Sequence, residues 1–298
     1  MSSNNVIEPR IGAHMSIAKS LDLAVDRGVK STCECIQIFT RPPRRWEAGK
    51  GSISPEIIKL FLKKSEAANY FDTAIHMPYL PNLASPDDKL FDKSVAVLIE
   101  EVKKAILLKT PYVITHLGSP KSKNEKFAAK RVVEALNEAT RHIKDSVTIL
   151  LENSTARKIK WGNKIEHMEA ILGKVQDEHF IGMCFDTAHA FSSGYNISSP
   201  EGLNDVIDLI EELLGKNKLK LIHINDSKGA LGSGRDHHEH IGKGYIGLDC
   251  FRELMQNPRY KKIPMILETP KENNFSDQNN LQLLRKLRLG EVKNQSIE

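Results

Sequence analysis

The chain has 298 residues, 40% of them hydrophobic and 27% charged, a make-up that fits a globular domain with a sizeable core and excludes a disordered or fibrous chain. Its formal charge of +5 tilts it slightly toward a polyanionic partner, and no apolar run approaches the roughly 18 residues of a membrane span. Four cysteines (Cys33, Cys35, Cys184 and Cys250) are too few for a disulfide framework, and the N-terminal MSSNNVIEPR lacks the apolar stretch of a secretory signal, so free thiols in a reducing, cytoplasmic setting are expected.

A polar tail over residues 1–10 leads into the first apolar, β-rich run at 11–16. Further runs follow at 35–40, 71–78, 112–118, 148–154, 181–188, 219–226 and 263–269. Between them apolar residues recur every three or four positions, and this spacing predicts helices over 55–69, 88–108, 128–143, 165–174, 200–214 and 279–287. Ser54-Pro55 and Ser199-Pro200 each place a capping serine before a proline suited to the first helical position. Strict alternation of strand and helix implies parallel strands joined by right-handed crossovers. Eight such units in this length predict an α/β fold, a single-domain (β/α)8 barrel of the TIM type over 11–289, with a second polar tail at 290–298. An open doubly wound sheet is the alternative, weakened because no Gly-x-Gly-x-x-Gly turn follows the first run.

Such a barrel forms its active site at the carboxyl ends of its strands. His76, His116, Glu152, Asp186, His223 and Glu268 each close an apolar run, and His189 follows Asp186 by three residues. The loop after His223 holds Asp236, His237, His238 and His240 within five residues, a gathering for which a solvated loop has no folding reason. Each residue alone is ordinary, since a histidine at a strand end is more often a hydrogen-bonded structural group. That plain reading is kept for His142, His167 and His179, while His14 stays open between a structural bond and one to a ligand or phosphate. Convergence carries the case for metal: nine imidazoles and carboxylates aimed at one mouth would repel or compete unless cations sat among them. Imidazole nitrogen and carboxylate oxygen suit zinc, iron or manganese. Nine donors exceed the needs of one ion and suit two or three, and clustered divalent ions recur in phosphoester hydrolysis.

The segments IGAHMS, IQIFT followed by RRW, IHMPYLPNL, THLGS, LLENS, FDTAHAFSSGY, HINDSKGALGSGRDHH, IGKGYIG and ILETP run through nearly the whole chain. In them the chain resembles the endonuclease IV family of apurinic/apyrimidinic-site endonucleases, most specifically in FDTAHAFSSGY and in HINDSK with GSGRDHH. The resemblance implies a barrel with three zinc ions that cuts double-stranded DNA on the 5′ side of an abasic nucleotide. It implies His76, His116 and Glu152 around one zinc, and Glu152 shared with Asp186, His223 and Glu268 around a second. His189, Asp236 and His238 would hold the third, His238 being preferred to His237 and His240 by the family's Asp-x-His spacing. Glu152 and Glu268 are the residues expected to be catalytic. The implied reaction is in-line attack of hydroxide on phosphorus, leaving a 3′-hydroxyl and a 5′-deoxyribose phosphate, with no side-chain nucleophile.

On the DNA side, Arg44 and Arg45 of FTRPPRRW and Tyr79 and Asn82 of YLPNL match positions the family uses where the abasic sugar is flipped out. Extrusion costs less there because an abasic nucleotide has no base to unstack. Lys228 and Arg235 are expected at phosphates. Arg44-Arg45-Trp46 also reads as a solvated basic turn with one packed indole. Three segments depart from the family pattern: Pro42-Pro43-Arg44-Arg45 stands for Asn-Gln-Arg-Gln, Ser154-Thr155-Ala156-Arg157 stands where Gly-Gln-Gly is usual, and His116-Leu117-Gly118-Ser119-Pro120 stands for His-Pro-Gly-Ser-His. None removes an expected ligand, and a monomer acting without a membrane is expected. The alternative reading is a sugar isomerase or epimerase on a similar barrel, which needs one divalent ion, fewer histidines and no basic rim. A non-catalytic DNA- or metal-binding protein is a third reading, disfavoured because no expected ligand is lost.

Overall fold

The strands β1 (Ile11–Met15), β2 (Cys35–Ile38), β3 (Ala74–His76), β4 (Tyr112–His116), β5 (Thr148–Glu152), β6 (Ile181–Asp186) and β7 (Leu219–His223) lie side by side in chain order, all parallel. After β7 comes a small antiparallel pair, β8 (Asp226–Ser227) with β9 (His238–Glu239), and then β10 (Met265–Leu267). β10 pairs with β7 on one side and β1 on the other, so the sheet closes and the open-sheet alternative falls away. These features come from a computed structural model that describes residues 8–46, 53–70, 72–143, 146–155, 161–271 and 276–292. Most of the two expected polar tails, and Ala156 and Arg157, lie outside the described residues.

Nine α-helices among the described residues surround the barrel or its loops: α1 (Leu23–Lys30), α2 (Pro55–Ala67), α3 (Asp88–Leu108), α4 (Glu125–Thr140), α5 (Ile165–Leu172), α6 (Thr187–Ser192), α7 (Pro200–Leu214), α8 (Leu248–Gln256) and α9 (Ser276–Arg288). The cap serines act as expected: Ser54 Oγ accepts from the Ile57 amide at 3.4 Å and Ser199 Oγ from Gly202 at 3.2 Å. α4 starts three residues earlier than its apolar periodicity predicts, because Asn124 Oδ1 caps the Phe127 amide at 2.9 Å and the cap sets the start. None of these helices is long and apolar enough to cross a membrane. All four cysteines are buried and free.

Side chains alternate across each strand, so the barrel interior is built in layers two residues apart. Cys35, Ala74, Ile114, Leu150, Cys184, Leu221 and Ile266 form an apolar cluster separate from the larger core between strands and helices. Two residues beyond each of these, toward the carboxyl end, stand Gln37, His76, His116, Glu152, Asp186, His223 and Glu268. His14 completes this layer two residues beyond Gly12. An apolar floor thus carries an entirely polar ring.

Gly12 of β1 pairs with Cys35 of β2. A Cβ there would lie 1.8 Å from the carbonyl oxygen of Cys35, which is backbone and cannot swing aside. Gly12→Ala is expected to destabilise the fold by about 3 kcal/mol or more, the upper end for overpacking. A urea unfolding midpoint unchanged from the parent protein would contradict this.

Candidate metal centre at the barrel mouth

The polar ring opens into a cavity of about 650 Å³ at the carboxyl ends of the strands. Local structure delivers the remaining donors to it. Asp186 ends β6 and caps α6, its Oδ1 accepting from the His189 amide at 2.8 Å, so the Asp-x-x-His spacing is that of a helix cap. The β8–β9 pair folds the 228–237 loop back so that Asp236 and His238 reach the mouth. Buried Asp226 anchors this return, accepting from the amides of Ser227, Gly242, Gly244 and Ile246 at 2.8–3.0 Å. Gly244 has to be glycine there, since a Cβ would come within 2.4 Å of the Asp226 carboxylate and of the Ser227 carbonyl.

The donors fall into three sets, each with its ligand atoms within 4.8 Å of one another: His76, His116 and Glu152; Glu152, Asp186, His223 and Glu268; and Asp186, His189 and His238. The third set differs from the expected trio by holding Asp186. Asp236 stands beside it, its Oδ1 3.1 Å from His189 Nε2 and 3.7 Å from His238 Nε2. Glu152 faces two sets with different oxygens. Its Oε2 lies 3.0 Å from His76 Nε2 and 3.4 Å from His116 Nε2, while its Oε1 lies 2.9 Å from His223 Nδ1.

The second nitrogen of four rings is tied to an oxygen that can only accept. His76 Nδ1 donates to Met77 O at 2.7 Å, His189 Nδ1 to Asn153 O at 2.9 Å, His238 Nδ1 to Glu268 O at 3.0 Å, and His223 Nε2 to Gln37 Oε1 at 2.7 Å. In a neutral ring the other nitrogen is then a bare lone pair, and in all four it faces carboxylate oxygen. Two acceptors cannot rest against each other; a proton or a metal ion has to lie between. With protons alone, burial works against the charged ring, yet Asp186, Asp236 and Glu152 hold His189 up at about 10. His76 and His223 are likewise raised against burial, chiefly by Glu152 for the first and by Cys184, Glu268 and Glu152 for the second. Burial pushes Glu268 up, but His223, His76 and His238 together outweigh it and bring the carboxyl to about 2. His116 and His14 go the other way, lowered by burial, His14 to about 3.

His238 tests whether divalent ions fit better than protons. Its Nε2 is buried, has no hydrogen-bond partner among the described residues, and lies 3.7 Å from both Asp186 Oδ2 and Asp236 Oδ1. An orphaned imidazole nitrogen between two carboxylates lacks only a cation, and the fixed second nitrogens are the outer support that metal-bound histidines carry. The residues present fit clustered divalent metal.

The expected DNA residues lie around this mouth in unequal ways. Tyr79 is exposed, lines the cavity, and packs edge-on to Phe39. Arg44 and Arg45 are exposed on the loop after β2, which meets the Tyr79 loop through the Tyr79 amide and Pro43 O at 3.0 Å. Lys228 lines the cavity and Arg235 is exposed beside it in sequence to Asp236. The Asn82 amide is occupied: it donates to Ser119 O at 2.9 Å and accepts from the Ser119 and Ala84 amides, joining the loops after β3 and β4. His237 also lines the mouth. His167 is structural, its Nδ1 accepting from the Gly162 amide at 3.0 Å.

Reading strand ends for charge missed Gln37, Asn153 and Asn225. Asn153 exchanges two hydrogen bonds with the Asp186 backbone, and Asn225 donates to Asp186 Oδ2 at 2.8 Å while accepting from the Glu268 amide at 2.7 Å. The two-residue step from the apolar floor would have found Gln37 and placed His14.

Fold and site together define a TIM barrel of the xylose isomerase-like class, and a family profile of that description matches residues 21–288. The chain is 39% identical over 278 residues to a probable endonuclease 4 of Methanoculleus marisnigri, covering 93% of this chain and 98% of that protein. It is 38% identical to a probable endonuclease 4 of Nitrosopumilus maritimus, covering 91% and 97%. The crystal structure of endonuclease IV from Thermus thermophilus superposes with a TM-score of 0.84 at 33% identity, covering 95% of this chain and all of that one. The chain belongs to the endonuclease IV family.

Proposed function

We propose that this protein is a zinc-dependent DNA repair endonuclease that hydrolyses the phosphodiester 5′ to an abasic site in duplex DNA, leaving a 3′-hydroxyl and a 5′-deoxyribose phosphate. The observation that carries the reading is one polar ring with three overlapping donor sets, joined through Glu152 and Asp186. His76, His116 and Glu152 would hold one zinc, Glu152, Asp186, His223 and Glu268 a second, and His189, Asp236 and His238 a third. Zinc bound there would supply Lewis acidity at a phosphate and a water made nucleophilic near neutral pH. The chain's own part is preorganisation. Met77 O, Asn153 O, Glu268 O and Gln37 fix the imidazoles, and the apolar floor closes the ring from below. Tyr79 offers an aromatic edge at the mouth, and Arg44, Arg45, Lys228 and Arg235 offer cations to the DNA backbone. Asn82 would act by shaping the loop that meets the DNA.

The test is a duplex with a single abasic analogue, incubated with protein whose metal content has been measured, before and after chelation. Scission on the 5′ side that is lost with the metal and regained with zinc, at three zinc per chain, is the expected result. A metal-stripped protein that still cuts, or a duplex left intact by the zinc-loaded one, sinks the proposal. One manganese per chain would point instead to sugar isomerisation.

Arg45→Ala is expected to weaken binding to the duplex and to reduce the slope of log affinity against log salt by about 1, as loss of one phosphate contact does. An unchanged slope removes Arg45 from the interface.

A further inference from the structure

β2, like β1, brings no ligand to any of the three donor sets, yet its place in the polar ring is filled by Gln37, fully buried. A glutamine inside a barrel has apolar substitutes of equal size, so its hydrogen bonds are the reason to look further. The Gln37 amide nitrogen lies 2.9 Å from His14 Nδ1 and 2.5 Å from Glu268 Oε1, and the amide oxygen lies 2.7 Å from His223 Nε2.

The directions of these bonds follow from one fixed point. The Glu268 carboxylate only accepts, so the amide nitrogen faces it and the amide oxygen faces His223, which must carry its proton on Nε2. The second amide proton then goes to His14 Nδ1, which must be a bare lone pair. A neutral His14 therefore keeps its one proton on Nε2. The ring of His14 packs against Phe39 with centroids 4.4 Å apart and is partly exposed, and its Nε2 has no partner among the described residues.

We propose that Gln37 is a positioning residue that sets two imidazoles at once. It turns His223 Nδ1 toward Glu152, Asp186 and Glu268 as a metal donor, and it makes His14 a neutral donor whose Nε2–H meets a phosphate oxygen of the substrate. The inference rests on the mouth being the metal-loaded phosphodiesterase site proposed above, and it gives His14 and Gln37 roles that the ligand sets leave unassigned.

Side-chain nitrogen spectra of zinc-loaded protein labelled with ¹⁵N in histidine test this, because the two nitrogens of each ring report separately whether they are protonated. Wild type is expected to show His14 and His223 each protonated on Nε2 alone. In Gln37→Met, His14 is expected to lose its single tautomer, and zinc affinity, read by competition with a chelator, to fall about 10–100-fold. His14→Phe is expected to keep its zinc while nicking the abasic duplex about 10–100-fold more slowly, the scale of one hydrogen bond to a charged group. A wild-type spectrum with the His14 proton on Nδ1 overturns the proposal, and it decides alone if Gln37→Met does not fold. Unchanged zinc affinity and His14 signal in a folded Gln37→Met also overturn it. A wild-type protein that leaves the duplex intact while spectra and zinc affinities behave as stated refutes the nuclease reading and the substrate role of His14, and retains Gln37 as the residue that sets the imidazoles.

Discussion

Glu152→Gln is expected to slow nicking of an abasic duplex by about a thousand-fold, the rate equivalent of several kcal/mol of charge stabilisation in the transition state. Glu152 is buried, and each of its carboxylate oxygens faces a different donor set: Oε2 the His76–His116 pair, Oε1 His223. Glutamine keeps the shape and one oxygen, but turns an amide donor toward imidazole nitrogens or toward metal. One of the two sets loses a ligand whichever way the amide points. The check is single-turnover nicking alongside elemental analysis and circular dichroism. A native spectrum with reduced metal content and a collapsed rate is the expected result, and near-normal nicking would remove Glu152 from the centre of the site. Glu268→Gln is expected to act in the same direction.

A second large effect is expected far from the metal, at Glu101 on α3. Its side chain is fully buried and accepts from Arg41 Nε at 2.8 Å, from Lys104 Nζ at 3.3 Å and from the Thr40 hydroxyl. Arg41 is 2% exposed, and its Nη1 donates to Trp46 O at 3.0 Å, closing the loop that carries Arg44 and Arg45. The Lys93 ammonium, 4.3 Å from the Trp46 ring centre, holds the far end of that loop. Glu101→Leu leaves Arg41 and Lys104 buried with only the half-exposed Glu100 to pair them. Removing one partner of a buried charge cluster costs about 3–5 kcal/mol. Loss of stability in urea should be accompanied by weaker binding of abasic duplex at fixed salt, because the basic loop is no longer braced. A variant as stable as the parent would show that Glu100 and water suffice, and unimpaired binding would uncouple the loop from the network. Arg45→Ala is the contrast: it should change DNA binding alone.

The barrel was legible because its signal is local and repeated. Apolar runs alternate with helical periodicity, Ser-Pro caps mark helix starts, and strict alternation leaves parallel pairing as the economical topology. The six ionisable residues at strand ends were legible for the same reason, since position along a strand fixes which end of the barrel a side chain reaches. Gln37 was not, because an uncharged residue inside an apolar run looks like a tolerated core polar group until its three partners are in place. Asn153 and Asn225 stayed hidden for the same reason, as did the double duty of Asp186 as helix cap and site carboxylate.

The sequence by itself determined the eightfold strand–helix order, the chemical type of the donors and the resemblance that ties them to a phosphodiesterase. Only the tertiary structure decided which oxygen of Glu152 faces which imidazole, which nitrogen of each histidine is turned inward, that Asp186 also stands within reach of His189 and His238, and that the Asn82 amide is spent between two loops. The physical reason is that donor type is a property of a residue, whereas tautomer, orientation and shared reach are properties of hydrogen bonds between residues as far as 231 positions apart, fixed only once the barrel has closed.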